Sequence, residues 1–219
     1  MKGNKKNSIV DVIYEYLMQQ ILSQQMEPGD RIPEAKIASE FGVSRTPIRE
    51  ALHQLANDGI ITIYPKRYAE VATYDEEKFR QIGIVRISLD VLTVKLAIYY
   101  GSNAEFDSLT GYADACYNAS KGNDIASRIK MDSHFHMAIA KISKNKTLIE
   151  MQRQLLLQVE FFQAIQYSKA VLPEKQYQSH YDLVQALTDR DESEAIRLIT
   201  QHDVISHRLQ EMPDSLKLL

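Results

Sequence analysis

The chain of 219 residues has a single cysteine, Cys116, and no tryptophan. One cysteine excludes an intrachain disulfide and a cysteine-based zinc site, and Cys116 reads as a small apolar core residue. Glycine (8) and proline (6) are scarce, which disfavours a fold of many short strands and favours helices. No apolar run approaches the roughly 20 residues a membrane helix needs. The basic start MKGNKKNSIV has no apolar run after it and does not read as a signal peptide. These absences point to a soluble, cytoplasmic protein without a membrane partner. An excess of one charge is also lacking. The net charge is −3, and residues 1–74 carry nine Lys/Arg against nine Asp/Glu. Any affinity for nucleic acid must therefore come from local arrangement.

What is present falls into two textures. In residues 1–74 the patterning predicts a helix over 8–26 with Ile9, Ile13, Tyr16, Leu17 and Ile21 on its buried face. Pro28-Gly29 breaks it, and a short helix over 34–41 follows. Gly42-Val43 makes a turn, and Ser44 is placed to cap a helix running to about Asn57. Two β-rich pieces, IITIY and AEVATY, flank the basic turn PKR. That is the plan of a winged helix-turn-helix. From Asp75 onward the pattern predicts only helices, over 75–101, 103–121, 124–143, 146–168, 173–190 and 192–211. The expected fold is mainly α: an N-terminal winged helix-turn-helix over 1–74 and a C-terminal all-α bundle over 75–219.

The segment FGVSRTPIREALHQLANDGII carries the first candidate site. Ile48, Ala51, Leu52 and Leu55 share one side of the helix, and Arg45, Thr46, Arg49 and His53 point away. Arginines one turn apart at a helix N-terminus suit the major groove, where they can read guanine, and the terminus favours phosphate. Lys66 and Arg67 at the hairpin tip suit the neighbouring minor groove or backbone. The stretch PGDRIPEAKIASEFGVSRTPIREALHQLANDGIITIYPKR resembles the DNA-binding domain of the GntR family, with SRTPIREAL its most specific block. The resemblance implies that Ser44, Arg45, Thr46 and Arg49 face double-stranded DNA. At the wing the chain departs from the family, with Tyr68 at or near a position usually held by glycine.

The second candidate site lies in IKMDSHFHMAIAKI. Asp132 and His136 are four apart and so are neighbours on one helix face. Ile129, Ile139 and Ser143 share their stripe, which turns the pair inward, whereas His134 points elsewhere. His180 shares a face with Leu183, Val184 and Leu187. His202 falls in the stripe Ala195, Leu198, Ile205, Leu209, and His207 lies off it with Thr200 and Asp203. In an antiparallel hairpin turning near Asp191, His180 and His202 sit side by side. Three neutral imidazoles and a carboxylate suit a divalent transition metal, Zn, Ni, Mn or Fe.

This half resembles the FCD effector domain of FadR-like GntR regulators, whose D…FH, H and H map onto Asp132, His136, His180 and His202. The resemblance implies a homodimer on a palindromic operator, acting as a repressor whose effector is a small carboxylate. The family's R…E pair appears as Arg86 and Asp90. Arg86 is then either an effector contact or half of an i,i+4 salt bridge. A purely structural metal is an alternative. So is an HD-type phosphohydrolase, suggested by His202-Asp203, but no general base or phosphate-binding loop accompanies that dipeptide. A non-enzyme is the expectation.

Overall fold

A computed structural model of the chain describes residues 8–73, 75–122, 124–167 and 175–213. Its contacts divide into two units, Met1–Tyr74 and Asp75–Leu219.

The first unit contains α1 (Ile9–Leu22), α2 (Glu34–Phe41), α3 (Arg45–Asn57), β1 (Ile61–Tyr64) and β2 (Tyr68–Val71). Ser8 and Asp11 form a reciprocal capping box that starts α1, with bonds of 3.1 and 2.9 Å. The helix ends earlier than the expected residue 26. Gln24 adopts φ 59°, and the amides of Gln24 and Gln25 bond back to Ile21 and Gln20. That is a left-handed helix stop made without glycine. Ile9, expected inside, is 43% exposed, and the buried set is Ile13, Leu17, Met18, Ile21 and Leu22. These pack with Ile48, Ala51, Leu52 and Leu55 of α3, as α1 and α3 are neighbours. Gly42, at φ 64°, turns the chain between α2 and α3. The strands pair antiparallel, with Ile61 opposite Val71 and Tyr64 opposite Tyr68.

The second unit contains α4 (Glu76–Tyr100), α5 (Asn103–Ser120), α6 (Ile125–Ile142), α7 (Lys146–Tyr167), α8 (Lys175–Thr188) and α9 (Glu192–Ser206). The side chains of Asp75, Ser102, Asp124 and Asp191 accept backbone N–H bonds that start α4, α5, α6 and α9. The expected start of α8 at 173 lies outside the described residues. Phe106, Leu109, Cys116, Phe135, Ile139, Leu183, Leu187 and Ile199 belong to one apolar core. Two details position the site. Arg190, at φ 56°, closes the turn between α8 and α9, and its guanidinium donates to the carbonyls of Ile98 (2.5 Å) and Gly101 (2.9 Å) at the end of α4. At the far end, α9 stops at Ser206 rather than 211. Arg208 takes φ 56°, and the amides of Arg208 and Leu209 bond back to Ile205 and Val204. Ile205, expected on the inward stripe, is 45% exposed.

Candidate metal centre and nucleic-acid interface

Helices α6, α8 and α9 deliver four polar side chains to one buried point. Asp132 and His136 come from successive turns of α6, and His180 and His202 come from the two arms of the α8–α9 hairpin. One donor atom from each lies within 4.8 Å of the others, and all four residues are buried. His180 Nε2 lies 3.2 Å from Asp132 Oδ1, and His136 Nε2 lies 3.3 Å from His202 Nε2. Asp132 is 3.9 Å from both His136 Nε2 and His202 Nε2. Ligands held at about 2.1 Å from one ion lie about 3.0–3.4 Å apart when adjacent and about 4.2 Å apart when opposite. The donor spacings are of that size. His134 is exposed and takes no part, and His207 lies outside the cluster.

The surroundings favour neutral imidazoles that face inward. His202 Nδ1 is 3.2 Å from the Ser179 hydroxyl, and His136 Nδ1 is 3.8 Å from the Asp90 carboxylate. If both Nδ1 atoms carry their protons toward these oxygens, the two Nε2 lone pairs converge, an arrangement that a cation relieves. Burial, with His180 next, brings the pKa of His202 down to about 3. Burial and then the Arg86 charge hold His136 well below its ordinary range. For Asp132, burial alone would raise the carboxyl. The hydrogen bond from His180, with the neighbouring imidazoles, outweighs it, and the Asp132 carboxyl is held below its ordinary range. The donor set therefore fits a divalent transition ion, which when bound supplies a Lewis-acidic centre with affinity for oxygen donors.

Behind this cluster lies a second polar layer. Arg86 is completely buried. The salt bridge to Asp90 is present, Nε to Oδ2 at 3.1 Å, and Asp203 Oδ1 lies 3.2 Å from the same nitrogen. Gln152 donates to Asp90 at 2.5 Å and to Thr93 at 3.0 Å. Asp203 therefore faces Arg86 and not the histidines. Burial pushes its carboxyl pKa up, against the pull of Arg86. His207 is fully buried between Gly83 and Phe79. The roles of Asp203, His207, Gln152 and Ser179 are absent from the sequence reading. The available signal was the stripe Thr200, Asp203, His207, a polar set at helical spacing on a helix whose adjacent stripe is also buried.

In the first unit, Ser44, Arg45, Thr46 and Arg49 are all exposed along the start of α3, opposite its buried face. Ser44 holds the cap position, but its hydroxyl makes no capping bond. Arg49 Nε pairs with Glu34 at 3.2 Å. Lys66, at φ 59°, and Arg67 are exposed at the hairpin tip. A cleft of about 400 Å³ separates α3 from the wing, lined by Glu34, Arg49, His53, Lys66, Arg67 and Tyr68 among others. Tyr68 is anchored, with Arg31 stacked 4.0 Å from its ring centroid and the Tyr64 ring at 4.8 Å.

A winged helix-turn-helix joined to an all-helical unit is the plan of a DNA-binding regulator. Comparison with known proteins agrees. Residues 9–71 match the family described as "Bacterial regulatory proteins, gntR family", and residues 81–204 match the FCD domain. The chain belongs to the GntR family of DNA-binding transcriptional regulators, with a C-terminal FCD domain, and it is not an enzyme. It is similar to the Nta operon transcriptional regulator of Aminobacter aminovorans, at 26% identity over 83% of this chain and 84% of that one. It is 24% identical to the HTH-type transcriptional repressor RspR of Escherichia coli, over 98% of this chain and 91% of the relative. The solved structure of E. coli McbR/YncC has the same fold, with a TM-score of 0.80 and 20% identity, covering 93% of this chain and 99% of that one. Among the described residues no helix is long and apolar enough to cross a membrane.

Proposed function

We propose that this regulator is a metal-containing repressor, acting in the cytoplasm, whose hold on its operator is released by a small carboxylate. The observation that carries the reading is the convergence of Asp132, His136, His180 and His202 at one buried point. Charge supports it. The Asp90 and Asp132 carboxylates are buried beside one guanidinium, Arg86, and a divalent cation offsets the excess of negative charge. The ion is Zn, Ni, Mn or Fe, and the effector's carboxylate docks at the ion with Arg86 as its second contact. Repression follows the similarity to the transcriptional repressor RspR.

Ser44, Arg45, Thr46 and Arg49 enter the major groove, and Lys66 and Arg67 contact the backbone or minor groove. The working form is a homodimer on a palindromic operator. Val85, Leu92 and Tyr99 support this, since they recur every seven residues along α4 and are 51%, 42% and 78% exposed. Such an apolar stripe suits a twofold partner. Effector binding repacks the helical unit and alters the separation of the paired recognition helices. For this the effector must bind the two arrangements with different affinity.

The test is metal analysis of the untagged protein by inductively coupled plasma mass spectrometry. About one transition ion per chain is expected, and His180→Ala should lower it. Undiminished metal in that variant, or no uptake of added Zn, Ni or Mn, overturns the assignment. Full burial of all four donors also fits a structural ion. In that case chelation melts the helical unit and no carboxylate changes operator binding.

A further inference from the structure

Arg86 is a buried guanidinium whose charge is already answered. Its Nε contacts Asp90 and Asp203, and its Nη1 lies 3.5 Å from His207 Nε2. The two carboxyl groups are held differently. Asp90 lies on the same helix as Arg86 and is fixed by Gln152. Asp203 comes from α9, next to His202. Its Oδ1 lies 3.2 Å from Arg86 Nε without hydrogen-bond alignment, and it also neighbours the Asp90 carboxyl group. Thr200 and Asp203 of α9, with His207 at its C-terminal cap, form one stripe, and this stripe meets α4 at Arg86 and Gly83. Arg86 Nη2, Gln152 Oε1 and the Thr200 hydroxyl are buried without a partner among the described residues. Interiors normally leave few such groups unmet. The α4–α9 contact is therefore a polar seam with hydrogen-bonding capacity left over, one helix layer behind the candidate metal.

We propose that Asp203 is a built-in occupant of the carboxylate seat on Arg86, so that an acid effector using Arg86 must displace the chain's own carboxyl group. The inference rests on the metal-centred effector reading and sharpens it. Arginine pairs with a carboxylate through a planar fork, and here that fork is shared between two internal acids. An acid that reaches only the metal leaves Asp203 in place. An acid with a second carboxylate competes for Arg86. Because Asp203 adjoins His202 on α9, its displacement moves the helix that also carries a metal donor. The resident carboxyl thus makes movement of α9 a response to dicarboxylic acids alone, and by competing with them it raises the concentration at which they act.

The experiment titrates succinate and acetate into the zinc-treated full-length protein by calorimetry, comparing wild type with Asp203→Ala and the isosteric Asp203→Asn. Both variants should bind succinate about tenfold more tightly than wild type, and acetate should change far less. Adding Arg86→Gln to either variant should abolish the gain. Succinate affinity that is unchanged or weaker in both folded variants overturns the proposal, as does a gain that survives Arg86→Gln. Zinc content is measured on the same samples. A wild type that takes up no zinc sinks the metal reading alone, because the same titration on the metal-free chain still reads competition for Arg86.

Discussion

His207 offers a clean measurement of how the helical core responds to acid. Its ring is fully buried, with its centroid 4.5 Å from that of Phe79. Burial, then the charge of Arg86, holds it neutral, well below the ordinary value of 6.5. A histidine whose folded pKa is lowered leaves the unfolded chain binding more protons as pH falls through about 6.5, so stability falls with it. Between pH 7.5 and 5.5 one such group removes about 1.4 kcal/mol. His136 and His202 act in the same direction. Asp203, whose carboxyl is raised, acts in the opposite one, gaining stability as pH falls through its folded pKa toward the ordinary value. His207→Phe keeps a flat ring against Phe79 and Gly83 and deletes one titration while the other groups stay common. Urea unfolding followed by helical circular dichroism at both pH values should show a drop smaller by about 1.4 kcal/mol in the variant. Parallel drops, agreeing within about 0.4 kcal/mol, would mean that His207 is already charged or solvated in the native state, and the buried-neutral argument would fail.

Three further outcomes are expected. Replacing Arg45 or Arg49 with alanine should weaken operator binding by about 1–3 kcal/mol in a mobility-shift titration and leave the melting curve unchanged. Gly101→Ala places a methyl 2.5 Å from the Ala97 carbonyl and 2.6 Å from the Phe106 ring. It should cost about 1–3 kcal/mol of stability by denaturant titration, and a neutral result would mean that the end of α4 is loose. Chelation of a metal held at about a thousandfold its Kd should remove about 4 kcal/mol, a fall in Tm of about 8–16 °C by calorimetry.

The fold was legible because its signals are local and agree with one another. Period-3.6 apolar stripes, acidic or hydroxyl caps and the SRTPIREAL block all point to the same plan. Where boundaries slipped, the cause is physical. Helices α1 and α9 end on Gln24 and Arg208 in the left-handed region, where glycine is the usual marker. A reading keyed to glycine and proline runs past such stops. The metal candidates were legible because each histidine sits on a stripe that is otherwise apolar. Asp203 and His207 were not, because they lie on the neighbouring stripe, and one-dimensional periodicity cannot show that α9 is buried on two sides. Their partners, Arg86 and Gly83, lie more than a hundred residues away in sequence.

The turn between α8 and α9 is exposed at Asp189, Arg190 and Asp191, the kind of place where insertions are usually tolerated. Here its length is tied to the side-chain cluster at the other end of the hairpin. His180 lies eleven residues before Asp191, and His202 lies eleven after it. Arg190 closes α8 and clamps the end of α4, and Asp191 starts α9. No residue in the turn is spare. An added residue absorbed into either helix would swing its histidine by about 100° and move it by about 1.5 Å, out of reach of Asp132. Variation in loop length, ordinarily the most permissive change a helical protein can accept, would here pull apart the Asp132, His136, His180 and His202 cluster.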